Sequence, residues 1–291
     1  MKIKSLLIYS LLIILGLVQC KSNKRSETNE SNSESTVIST EEQVVYMLPA
    51  PDEIFAEIFI SDIRLDIQYI NSVDNAVNYI DVKSQALNLG VYITDFAYLS
   101  VFDNTANELD YLKTIKELTD KVNLYGVVSE GIIERINANL LIKDSLNKIS
   151  RELYYKMSQI LENSDQNNLL VLVSTGAIIE ALYLAINNIT FKHSADIVER
   201  VLEQKFVFDN YYEFAQQYSD DVYVKSVLSQ LSGIKKIFDD FSYDETNIKV
   251  TKDKDCFIII EGGKEIIVTE DVYLKLKEKI IDIRMLFVDK A

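Results

Sequence analysis

Leu169-Leu170-Val171-Leu172-Val173-Ser174-Thr175-Gly176-Ala177-Ile178-Ile179-Glu180-Ala181-Leu182-Tyr183-Leu184-Ala185-Ile186 is a continuous apolar run interrupted by only a few polar positions. A helix that is apolar on every face lies either at the centre of a packed protein or across a membrane. The run approaches the roughly 20 residues that a bilayer span needs. It also carries Glu180, and a carboxylate in mid-span would cost a few kcal/mol or more. A buried bundle helix is therefore the expectation. Residues 84–102 read the same way, with Leu87, Leu89, Val91, Tyr92, Ile93, Phe96, Ala97 and Leu99 covering nearly every face.

Around these two central helices the apolar residues recur with a helical period on one side only, which predicts amphipathic outer helices. Pro51 followed by Asp52 and Glu53 predicts a short helix carrying Ile54, Phe55, Ile58 and Phe59 on one face, because proline and acids suit a first turn. Thr105 and Glu108 form a capping box before a stripe of Leu109, Leu112, Ile115, Leu118 and Val122. Further helices are expected over 130–141 with Ser129 as cap, and over 143–161, 194–217 and 220–241. Residues 63–80 show no clear period. With 8 glycines and 2 prolines in 291 residues, long uninterrupted helices follow naturally. The fold class is mainly α, an antiparallel helical bundle over 45–245.

The pattern changes near the C-terminus. Cys256-Phe257-Ile258-Ile259-Ile260 and Glu265-Ile266-Ile267-Val268 flank Gly262-Gly263, which predicts a β-hairpin turning at the glycines. Residues 247–250 would add a third strand. Thr269, Glu270 and Asp271 open a last helix with Tyr273, Leu276, Ile280, Ile283 and Phe287 inward. Residues 246–291 should pack on the bundle, since an isolated hairpin is marginal in water.

At the other end, Lys2 and Lys4 precede an apolar run to Val18, and Leu17 stands three residues before Cys20. This reads as a cleaved lipoprotein signal over 1–19, leaving Cys20 as a fatty-acylated N-terminus. Residues 20–44, rich in Ser, Asn, Thr and Glu, have little to bury and read as a disordered tether. Lys21, in place of an acid after the cysteine, points to the outer membrane and a periplasm-facing body.

The formal charge of −15 argues against nucleic-acid binding, which depends on neutralising phosphates. With Cys20 lipidated, Cys256 is left without a disulfide partner. His193 is a lone histidine without the cysteines or acids of a zinc site, and no phosphate-cradling loop follows a strand. Neither a metal nor a cofactor is expected.

The succession Leu48-Pro49-Ala50-Pro51-Asp52-Glu53-Ile54, Ala86-Leu87-Asn88-Leu89-Gly90-Val91-Tyr92 and Glu180-Ala181-Leu182-Tyr183-Leu184 resembles a family of uncharacterised helical lipoproteins from Gram-negative bacteria. The resemblance spans about residues 45–243. It implies helical architecture and lipid anchoring and carries over no catalytic residues.

Asp95 and Glu180 are the candidate site, because a carboxylate on an apolar helix is costly to desolvate unless it is paired or used. Asp95-Phe96-Ala97-Tyr98-Leu99 and Glu180-Ala181-Leu182-Tyr183-Leu184 match as acid, two apolar residues, Tyr, Leu, a faint trace of duplication. If the central helices are neighbours, Asp95, Tyr98, Glu180 and Tyr183 could line one polar binding pocket. Tyr211 and Tyr212 with Phe206, Phe208 and Phe214 could line an aromatic groove. The expected role is non-catalytic, in binding an envelope protein or in structure. Alternatives are a small-ligand-binding lipoprotein using the Asp95/Glu180 pocket and, third, a carboxylate-based hydrolase.

Overall fold

The apolar run occupies α6 (Asn167–Asn188) in a computed structural model that describes residues 48–58, 66–101, 108–139, 143–192, 195–244, 249–252, 258–261 and 265–289. By length and composition α6 could cross a membrane, yet 94% of its most apolar window is buried inside the protein. It is a core helix. Ordered along the chain are α1 (Pro51–Ile58), α2 (Val82–Val101), α3 (Glu108–Lys121), α4 (Glu130–Asn139), α5 (Lys143–Asn163), α6, α7 (Ala195–Gln216), α8 (Val222–Asp239) and α9 (Glu270–Val288). They belong to one compact unit, Val45–Ala291. Residues 1–47, over which a signal, a tether and the lipidated Cys20 are expected, lie outside the described residues, as do Thr105, His193 and Cys256.

Local chemistry sets the helix ends. Asp221 accepts from the amides of Tyr223 and Val224 to open α8, and Thr269 accepts from Val272 to open α9. Asn123 and Asp165 take left-handed φ values of 62° and 56° after α3 and α5. There Leu124 donates back to the Thr119 carbonyl and Gln166 to that of Leu161. Asn and Asp thus take the left-handed position that glycine usually fills at a helix terminus. Asp52, almost fully buried at the start of α1, takes two bonds from the Arg151 guanidinium, at 2.6 and 3.0 Å, which tie α1 to α5.

The packing of α2 on α6 turns on two glycines. A Cβ built on Gly90 would meet the Val173 carbonyl oxygen at 1.9 Å, and one on Gly176 would meet the Leu87 carbonyl oxygen at 1.8 Å. The contacts are reciprocal, each glycine resting on the carbonyl three residues before the other. They climb both helices together, since Thr94 donates to the Ala177 carbonyl and Asn188 to Tyr98. The bundle's central pair is therefore parallel, a departure from simple antiparallel hairpins. The local dyad that equates Gly90 with Gly176 is one residue out of step with the match of Asp95 to Glu180. The two acids are not symmetry mates, so this dyad does not reproduce the suspected duplication.

The stretch 66–80, ambiguous in sequence, forms a strap of two 3₁₀ turns, Ile67–Tyr69 and Val73–Asn78, capped by Asp66 and Ser72. Near the C-terminus β1 (Ser242–Asp244) pairs antiparallel with β4 (Glu265–Ile267), and β2 (Lys249–Lys252) pairs with β3 (Ile258–Glu261). These two ladders are nested. The expected pairing of the two runs on either side of the glycines is not what forms, since β3 pairs with β2 and β4 with β1; Gly262-Gly263 themselves lie outside the described residues. The register sets Lys249 opposite Glu261 and Val250 opposite Ile260. The last helix begins after Thr269 as its cap residue predicts, with Tyr273, Leu276, Ile280, Ile283 and Phe287 all buried.

Candidate functional site

Asp95 sits one turn beyond the glycine crossing on α2, and Glu180 one turn beyond it on α6. Both are fully buried. Glu180 is claimed by Arg284 of α9, whose Nε and Nη2 donate to its two carboxylate oxygens at 2.9 and 3.1 Å. This fork-on-fork geometry is the strongest form of ion pair. The guanidinium also lies 4.5 Å from the centre of the Tyr183 ring, a favourable cation–π distance. Tyr69 of the strap meets Tyr183 edge to face at 6.2 Å, and its carbonyl accepts from Arg284 at 3.3 Å. Burial alone pushes Arg284 down, but the facing Glu180 more than offsets it and the guanidinium stays charged.

Asp95 Oδ2 accepts from the Asn71 amide at 3.0 Å. Its other oxygen, Oδ1, is buried with no donor among the described residues. Burial, and then the negative charge of Glu180, hold the Asp95 carboxyl well above the usual carboxylate range. A carboxylic acid there carries a proton to donate, where a carboxylate can only accept. Two carboxyls, one proton and one guanidinium make a neutral set.

Tyrosine hydroxyls complete the surroundings by bonding the strap's backbone. Tyr111 donates to the Asn71 carbonyl at 2.6 Å and Tyr92 to that of Ser72 at 2.8 Å. The Asn71 side chain donates to the Tyr79 oxygen, and Tyr79 donates to the Val288 carbonyl. Tyr98 faces a different neighbourhood, donating to the Asp66 carbonyl at 3.4 Å and accepting from Asn188 at 2.9 Å.

Of the four candidate residues, then, Asp95, Glu180 and Tyr183 converge on one cluster, while Tyr98 braces the neighbouring end of the strap. The cluster is filled by Arg284 and covered by the strap. Sequence reasoning missed Arg284, Asn71, Tyr69 and Asn188. Arg284 had a signal: it falls four residues after Ile280 and three before Phe287, a cation on the inward stripe of α9. Asn71, within an aperiodic stretch, had none.

The aromatic group on α7 is core. Phe208 and Tyr211 are fully buried, and Phe208 packs against Tyr212 and Phe238 at centroid distances of 6.0 and 5.2 Å. Phe206 is exposed, so these side chains do not share a groove. Exposed apolar residues gather instead where α2 and α8 begin and α9 ends. Ile80, Val82, Val222, Tyr223, Met285 and Leu286 are all exposed there. Lys83 bonds Ser226 across the same end, beside a cavity of about 150 Å³ that Leu286 helps to line. No group of acids, histidines and cysteines suited to a metal occurs among the described residues.

No family model, curated protein or solved structure matches this chain.

Proposed function

We propose that this protein is a lipid-anchored envelope protein of a Gram-negative bacterium. A fatty-acylated Cys20 holds it in the outer membrane, the helical body faces the periplasm, and its role is non-catalytic, in binding a protein partner or in structure. The observation that carries this reading is the order of Lys2 and Lys4, the apolar run to Val18, and Leu17 before Cys20, the layout of a signal cleaved at a cysteine. The acidic balance of 45 Asp and Glu against 30 Lys and Arg supports a protein rather than a nucleic-acid partner.

The geometry favours a non-catalytic role because the best acid/base candidates are engaged internally. A carboxylate hydrolase needs its two acids in an open cleft about 5 to 10 Å apart. Asp95 and Glu180 are fully buried, with Glu180 bound to Arg284 and Asp95 to the Asn71 amide. The apolar end built from Val82, Val222, Tyr223 and Leu286 supports the binding half of the proposal, since clustered exposed apolar side chains mark interaction sites.

Metabolic labelling with a clickable fatty acid tests the anchor: label and membrane fractionation are expected in the parent and lost in Cys20→Ser. Equal labelling of both refutes it. Photo-crosslinking in intact envelopes from Leu286 and Val222, against Tyr125 as an exposed control, tests the partner. Specific adducts from the first two alone are expected. The same adducts from all three, or none, would remove the binding reading.

A further inference from the structure

We propose that Asp95, Glu180 and Arg284 form a proton-operated latch for the strap. With one proton on the two carboxyls the buried trio is neutral and residues 66–80 stay docked; loss of that proton releases them. The inference is independent of the membrane anchor.

The geometry rests on three observations. Glu180 takes the Arg284 guanidinium on both oxygens while Asp95, equally buried, bonds only the Asn71 amide among the described residues, so ionising Asp95 would enclose an uncompensated negative charge. Asp95 Oδ1 lacks a donor, the arrangement expected of an atom that itself carries the proton. Two of the three groups grip the strap by its backbone, Asp95 through the Asn71 amide and Arg284 through the Tyr69 carbonyl.

The other titratable groups around Asp95 are Tyr92 and Tyr98 on α2, Tyr111 on α3 and Tyr183 on α6, with Tyr79 on the strap beside Tyr92. Burial pushes all these phenols up, so they stay neutral while the carboxyl pair titrates. When the trio becomes anionic, water must reach it. The other walls are helices α2, α3, α6 and α9, whose backbones are bonded within themselves. The strap has only two 3₁₀ turns and leaves Ile67, Val77 and Ile80 exposed, so it is the wall that yields most easily.

Hydrogen exchange of the full chain between about pH 5 and about pH 9, corrected for the intrinsic rate of each amide, tests the latch. Protection of strap amides is expected to fall by up to about tenfold per pH unit through the titration, while amides of α5 hold theirs. In Asp95→Asn the side chain is uncharged at every pH, and strap protection becomes flat. A flat parent profile, or an undiminished slope in Asp95→Asn, overturns the proposal. If the variant does not fold, the parent alone decides through the infrared carbonyl band of a buried carboxylic acid. The band must be present at neutral pH and vanish together with strap protection; its absence, or its loss at a different pH, sinks the latch.

Discussion

Replacing Gly90 by alanine places a methyl group 1.9 Å from the Val173 carbonyl oxygen and 2.7 Å from the Ala177 amide nitrogen. Both are backbone atoms and cannot swing aside. Ordinary van der Waals contact for a Cβ begins near 3.4 Å, so α2 and α6 must part by about 1.5 Å, a gap that forfeits half or more of the dispersion attraction across the crossing. Overpacking typically costs 1 to 3 kcal/mol. Here two core helices move as units, which puts the cost at about 3 to 5 kcal/mol, a large share of the 5 to 15 kcal/mol typical of a domain. Gly176→Ala meets Leu87 at 1.8 Å and demands the same separation. Once the helices have parted for one methyl the second enters nearly freely, so the double variant should cost well under the sum of the singles. Denaturant unfolding of the parent, both singles and the double, followed by far-ultraviolet circular dichroism, measures the cycle. A single substitution costing under about 1 kcal/mol, or strictly additive losses, would refute the close-crossing account.

Arg284→Met leaves Glu180 as an uncompensated buried charge and should destabilise by about 3 to 5 kcal/mol; adding Glu180→Leu should recover most of it. A double variant as unstable as Arg284→Met would contradict that. Tyr98→Phe removes the hydroxyl between Asn188 and the Asp66 carbonyl. About 1 kcal/mol should be lost, with faster exchange confined to the start of the strap; unchanged exchange there would count against the bridge. For pH dependence, burial raises Asp95 and also Asp52, although Arg151 pulls Asp52 back. A raised folded pKa means that the folded state binds the proton more tightly than the unfolded one. This stabilising contribution is complete below the ordinary carboxylate pKa and disappears as pH rises through the folded value. Stability of the parent relative to the Asp52→Asn/Asp95→Asn variant should therefore decline from about pH 4 upward, as read from urea midpoints; a rising difference would reverse the assignment.

Much of the helical plan was legible in the chain, because whether a segment is apolar all round or on one stripe is a local property. Residues 169–186 and 84–102 were readable as core helices, and Thr269 as the start of α9, from side chains within a turn or two. The low glycine and proline content set long helices before any contact was known. Asp95 and Glu180 could be singled out because a carboxylate on an apolar helix is anomalous wherever that helix packs. What only the tertiary structure decided are the pairings between distant segments. The Arg284–Glu180 bond joins residues 104 positions apart, and nothing near either one names the other. The strap's course depends on Tyr92, Tyr98 and Tyr111 reaching its backbone from α2 and α3, so its own composition was mute. Which strands pair was also decided late: β3 takes β2 and β4 takes β1, because strand partners are chosen by contacts between segments and not by the residues within one run. Gly90 and Gly176 were visible as glycines, but their reciprocal seating, and with it the parallel course of α2 and α6, exists only once both backbones share the same space.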